Sequence, residues 1–172
     1  FGIIANGKST YDVKDALLDL GIDAQRADAL GITVMQISMP HPLDLQTLRD
    51  FALGLDEVLV VEEKRRIIET NLKDALYSAP DGQRPRVVGR FDESGERLLP
   101  EVGEIAPAQV VRAIASRIEY FHRDDRVREH LAFLDAKAAE THSLAAIGVK
   151  RTPYFCSGCP HNSSTRLPEG SI

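Results

Sequence analysis

Val58-Leu59-Val60-Val61-Glu62-Glu63 is the stretch on which the fold turns. Four apolar residues in unbroken succession leave no polar face, the pattern of a strand covered by helices on both sides. The stretch therefore predicts a central strand of a parallel sheet. It ends on two glutamates, at the carboxyl side where open α/β sheets bind ligands. Downstream, Ile68, Leu72, Ala75 and Leu76 recur at helical spacing, Pro80-Asp81-Gly82 marks a turn, and Val87-Val88 supplies a further short strand. Upstream, Asp44 is placed to cap a helix carrying Leu45, Leu48, Phe51 and Ala52. Before it lies a strand over Ile32 to Ile37, stopped by Pro40 and Pro42.

Closer to the start, Gly2 to Asn6 reads as a buried strand, and Ser9 with Asp12 three residues on resembles a capping box. Val13, Ala16, Leu17 and Leu20 then mark a helix ended by Gly21, and a short helical stretch spans Ala24 to Leu30. Strand and helix thus alternate from Gly2 to Val88. The expected fold is α/β: a three-layer helix/sheet/helix domain with a mostly parallel sheet and right-handed crossovers. After a turn at Asp92-Glu93-Ser94-Gly95, Val111, Ile114, Ala115 and Ile118 mark a helix with Pro107 in its first turn. Val127, Leu131, Leu134 and Ala138 form a narrow stripe on a charged segment, which predicts a connector helix lying on the domain. Periodicity is lost from Gly148, and Arg151 to Ile172 reads as a loop. The expected organisation is an α/β domain over 1–123, a connector helix and linker over 124–150, and a distinct segment over 151–172.

With 43% hydrophobic and 27% charged residues in 172, the chain has the composition of a folded globular protein. A formal net charge of −5 gives no basic footprint for nucleic acid, and Lys64-Arg65-Arg66 is too short to supply one; it reads as a solvated helix start. No apolar stretch is long enough to span a membrane and no signal peptide is evident, so no membrane contact and a cytoplasmic location are expected. Phe1 in place of a methionine, and an end without a cap, suggest a segment of something longer.

Four features carry candidate chemistry. Gly2-Ile3-Ile4-Ala5-Asn6-Gly7-Lys8-Ser9 formally fits the phosphate-loop pattern, although Ile3-Ile4 prefers to be strand; a nucleotide hydrolase fragment is therefore one alternative. His41, between Pro40 and Pro42, either shapes a substrate edge or only faces solvent. Glu62 and Glu63 either face a ligand or are satisfied by solvent, Lys64 or Arg65. Cys156 and Cys159, spaced C-x-x-C around Gly158, suit zinc or iron–sulfur, because one turn directs both sulfurs to the same side. Pro160 stiffens the exit, and His161 is placed to ligate, to hydrogen-bond or to touch a reactant. A thioredoxin-like pair is disfavoured by Pro153 and Asn162-Ser163-Ser164. Zinc would need two further ligands and the chain offers no other cysteine; a zinc-stabilised interaction module is nevertheless the other alternative.

The run Arg151-Thr152-Pro153-Tyr154-Phe155-Cys156-Ser157-Gly158-Cys159-Pro160-His161-Asn162 resembles the opening of the thiamine-diphosphate-binding domain of indolepyruvate ferredoxin oxidoreductases, and its extension to Ser171 looks like their long, fused bacterial form. Pro42-Leu43-Asp44 and Val58 to Glu63 look like the transketolase C-terminal domain. The resemblance implies that 1–123 is a transketolase C-terminal-like domain and 151–172 the truncated start of a thiamine-diphosphate domain. It further implies a parent enzyme that oxidatively decarboxylates an arylpyruvate to an acyl-coenzyme A and passes electrons to ferredoxin, using thiamine diphosphate, Mg2+ and a 4Fe–4S cluster. Cys156 and Cys159 would be two of the cluster ligands, the others lying beyond Ile172, and His161 would be the one residue facing the cofactor region. A homo-oligomeric parent is expected, with the other domains of the same polypeptide as partners. No Gly-Asp-Gly diphosphate motif is present. The segment alone is expected to be inactive and to bind no cofactor.

Overall fold

In the computed structural model, residues 1–80, 82–145 and 154–171 are described. Phe1–Asp135 and Ala136–Ile172 form two compact units. The first is an α/β domain. Its strands β1 (Gly2–Asn6), β2 (Thr33–Ile37), β3 (Glu57–Val61) and β4 (Arg86–Val88) form a sheet of order β2-β1-β3-β4, parallel throughout. Between them run α1 (Lys8–Asp19), α2 (Ala24–Ala29), α3 (Leu45–Ala52) and α4 (Ile67–Leu76), followed by α5 (Pro107–Phe121) and α6 (Asp125–Ala145).

The alternation of side chains across a strand builds two cores. Ile3, Ala5, Leu59 and Val61 face one side, where Val13, Ala16 and Leu17 of α1 and Leu20 just after it meet Val110, Val111, Ile114 and Ile118 of α5. Ile4, Val58 and Val60 face the other, against Leu48 and Ala52 of α3 and Ile68, Leu72 and Leu76 of α4. Every residue of β3 is buried, as expected for a strand covered on both faces. At the roughly 1.5–3 kcal/mol that burial of one large apolar side chain contributes, these layers are the main source of cohesion.

Local signals explain most boundaries. The Asp44 carboxylate accepts the Thr47 N–H at 3.1 Å and starts α3. Pro107 opens α5, and the Gln109 side chain accepts the Ala106 N–H at 2.8 Å. Asp92 accepts the amides of Ser94 and Glu96, each at 2.8 Å, and folds the expected turn into a small antiparallel bridge, Phe91 to Arg97. Asp81 lies outside the described residues.

Two expectations fail locally. Ser9 makes no cap: α1 already begins at Lys8, after Gly7 at φ 52°, and Asp12 pairs instead with Lys8 at 2.9 Å. The left-handed turn that a glycine permits does what the capping box was expected to do. On α6, Val127 is fully buried and Leu131 and Leu134 pack on the first core, but Ala138 is exposed. The apolar stripe is thus one turn shorter than the spacing suggested.

The second unit holds the later part of α6 and a knuckle ending in the one-turn helix α7 (His161–Ser164). Residues 146–153, where the connector was expected to end, lie outside the described residues.

Candidate functional site

At the carboxyl edge of the sheet, the chain leaving β3 supplies two carboxylates with different tasks. Glu62, 7% exposed, accepts the N–H groups of Ile67 at 3.0 Å, Ile68 at 2.9 Å and Glu69 at 2.9 Å. It therefore closes the open end of α4 from five residues upstream, where amides have no partner within the helix. Burial pushes its carboxyl above the usual carboxylate range, against the three amides that favour the charged form. Glu63 accepts the Ile105 N–H at 3.1 Å. Neither pairs with Lys64 or Arg65, one of the alternatives open to them; backbone amides engage both oxygens of Glu62 and one of Glu63.

Lys8 meets the same segment from the other side. Its ammonium donates to the Ile105 carbonyl at 3.2 Å and pairs with Asp12 at 2.9 Å and Glu104 at 3.0 Å. The hydrogen bonds to Asp12 and Glu104 hold its pKa above the ordinary lysine value. Glu63 and Lys8 thus clamp the backbone of one residue, Ile105, by its N–H and its carbonyl. The phosphate-loop alternative fails on this geometry: Gly2 to Asn6 are strand, and Gly7 alone separates strand from helix. A phosphate-wrapping loop needs several successive amides turned inward, which one residue cannot supply.

Beside α4, Glu69 is buried and binds Lys73 at 2.6 Å and the Arg90 N–H at 3.2 Å. The buried Arg90 guanidinium reaches Glu101 at 3.1 Å and the Lys64 carbonyl. His41 is exposed on a hollow of about 250 Å³ with Pro40, Pro42, Leu43, Leu45, Ile67 and Asn71. The structure brings His41 to no catalytic partner among the described residues.

The opposite edge holds a cluster that sequence reasoning missed. Glu57, fully buried, binds Arg117 through two bonds of 2.7 and 2.6 Å, with Arg86 at 3.3 Å; Arg117 also reaches Glu93 at 3.0 Å. Tyr120 lies under both guanidinium groups, at 4.9 and 4.6 Å. The available signal was a charged residue on each of two otherwise apolar surfaces, β3 and the inner face of α5.

In the second unit, Cys156 and Cys159 are free thiols, the first exposed and the second partly so. The Cys159 N–H donates to the Cys156 carbonyl at 3.0 Å, with Gly158 at φ 78° in the turn. The Asn162 side chain donates to the same carbonyl at 2.9 Å. His161 Nδ1 is 3.3 Å from Cys159 Sγ, and its ring lies 5.2 Å from that of Phe155. A tight, braced turn with two accessible thiols suits soft-metal ligation. Among the described residues, no group of three or more His, Cys, Asp or Glu could hold a metal ion, so the turn offers two thiolates toward a four-ligand site. The donor set fits part of an iron–sulfur or zinc centre. It does not fit a Mg2+–diphosphate group, for which the sequence offers no Gly-Asp-Gly motif.

No helix among the described residues is long and apolar enough to cross a membrane. Residues 1–141 match the family model of the indolepyruvate oxidoreductase domain. The chain is 29% identical over 163 residues to the indolepyruvate oxidoreductase subunit IorA of Thermococcus kodakarensis, covering 95% of this chain and 22% of that protein. It is 30% identical over 162 residues to IorA of Methanothermobacter marburgensis, covering 94% and 21%. The chain thus spans about a fifth of the length of the curated relatives it matches. A solved structure, Treponema denticola PurE, aligns at TM-score 0.44 with 13% identity over 87% of this chain and 98% of that one, a likeness too low to bear on function.

Proposed function

Because the chain belongs to the indolepyruvate oxidoreductase domain family, we propose that it is a segment of an indolepyruvate ferredoxin oxidoreductase. That parent converts indolepyruvate or a related arylpyruvate, with coenzyme A, to an acyl-coenzyme A and carbon dioxide, and gives two electrons to ferredoxin. The family match over 1–141 carries this reading, and the braced Cys156–Cys159 turn supports it. Thiamine diphosphate with Mg2+ would supply the decarboxylation chemistry and a 4Fe–4S cluster the electron path. Cys156 and Cys159 would ligate the cluster, with His161 beside it modulating the Cys159 thiolate through their close approach. The α/β unit acts as a structural domain packed among others of the same polypeptide in a cytoplasmic homo-oligomer. Alone, the segment holds neither cofactor nor activity.

The test uses the full-length parent purified without oxygen. Expected results are bound iron with a broad visible absorption, and reduction of ferredoxin that depends on indolepyruvate and coenzyme A. Cys156→Ala and Cys159→Ala should each lower the iron content and the electron transfer. A full-length wild type without 2-oxo-acid-dependent electron transfer would overturn the enzymatic reading. Unchanged iron in both variants would overturn only the assigned ligands.

A further inference from the structure

A polar crevice of about 230 Å³ opens at the carboxyl edge of the sheet, lined by Asn6, Gly7, Lys8, Ser9 and Glu63. Its place follows from the strand order. The connection leaving β1 runs to β2 on one side, and that leaving β3 runs to β4 on the other, so the chain parts between them. Such switch points are where open α/β sheets hold ligands.

Ser9 gives an independent reason to expect one. It is 2% exposed, yet its hydroxyl lines the crevice with no hydrogen-bond partner among the described residues. Unlike a sealed hydroxyl, it stays open to solvent from the crevice, so a ligand entering there can pair with it. The adjacent Thr10 hydroxyl is also unpartnered, but it is sealed in the core and does not line the crevice.

The walls differ in chemistry. On one side stand the Ser9 hydroxyl and the first amides of α1, a twelve-residue helix, which favour a negative group. On the other, Glu63 lines the crevice and accepts the Ile105 N–H through Oε1, with no hydrogen bond to Oε2 among the described residues. Lys8 is already engaged by Asp12, Glu104 and the Ile105 carbonyl, so it is no free anchor for phosphate. A phosphate dianion would face Glu63 and Glu104 with little to offset them. A small zwitterion matches both walls, and the volume suits only a handful of heavy atoms. We propose that this crevice binds a small α-amino acid, its carboxylate on the Ser9 hydroxyl and α1 amides and its ammonium on Glu63. The proposal does not depend on the reaction of the parent.

The test is calorimetric titration of the full-length chain with glycine, L-alanine and L-serine. Saturable binding of at least one is expected, with acetate and ethanolamine, each half of the zwitterion, binding more weakly. Ser9→Ala and Glu63→Gln, which keeps an acceptor for Ile105, should each weaken it by about tenfold or more, the loss of one charge-assisted hydrogen bond. Without ligand, Ser9→Ala should keep or raise the Tm, since its hydroxyl has no protein partner to lose. No saturable binding by the wild type, binding untouched by both variants, or a lower Tm in Ser9→Ala would each overturn the proposal. So would inorganic phosphate binding that strengthens in Glu63→Gln, the mark of a plain anion site.

Discussion

Glu57 and Arg117 are sixty residues apart in sequence and joined by two hydrogen bonds of 2.7 and 2.6 Å, with both side chains buried. The pair ties the start of β3 to α5. Removing one partner leaves the other charge in the interior, so Glu57→Ala or Arg117→Ala should lower unfolding free energy by about 3–5 kcal/mol. Replacing both with apolar residues of similar volume should recover most of that loss. Denaturant titration of the three variants checks it.

Glu62→Ala should cost about 1–3 kcal/mol, because it leaves three amides of α4 without acceptors. Hydrogen exchange at Ile68 and Glu69 should quicken more than at residues late in α4. A carbon-detected titration should find the Glu62 carboxyl above the usual carboxylate range, as burial dictates. A raised folded value means that this group alone favours the fold as pH falls, its contribution being lost as pH rises through that value.

Acidification should nevertheless destabilise the domain. The Asp44 carboxyl is held low by its bonds to the Thr47 side chain and amide, and the Glu119 carboxyl by Arg128. A folded value below the unfolded one gives stability present above the ordinary carboxylate range and lost as pH falls through the depressed value. The thermal midpoint should therefore drop below about pH 4. Asp44→Asn, which keeps an oxygen for the cap without the titrating charge, should shrink the drop.

Gly89→Ala should destabilise by about 1–3 kcal/mol through overpacking. A β-carbon there would lie 2.6 Å from Glu69 Oε2 and 3.1 Å from the Val60 carbonyl, and Glu69 is fixed by Lys73 and the Arg90 amide. Thermal unfolding of Gly89→Ala beside Gly95→Ala, where the β-carbon meets nothing, separates crowding from backbone strain.

Much of the fold was legible because its signals are local. The bare apolar run at Val58 to Val61, the Asp44 cap and Pro107 each act within a turn or two of chain, and each appears where expected. What was hidden depends on residues distant in sequence. Glu57 finds Arg117 only once α5 lies on the sheet, and Glu63 and Lys8 meet only through Ile105. The cysteine spacing was plain, whereas the brace from Asn162 to the Cys156 carbonyl needed the knuckle to fold. Ser9 was read as a cap because its neighbours fit one; the positive φ of Gly7 moved the helix start and left its hydroxyl free.

The edge formed by β2 bears on how the protein behaves when concentrated. Thr33 donates to Phe1, so by the alternation of a parallel ladder the peptide groups of Val34 and Gln36 turn away from β1. No strand among the described residues pairs with them, and Thr33 to Ile37 holds no charge and no proline. Such an edge lacks the usual deterrents to strand-on-strand aggregation. Solubility should be limited there, and a lysine in place of the exposed Val34 should raise it while leaving the thermal midpoint nearly unchanged.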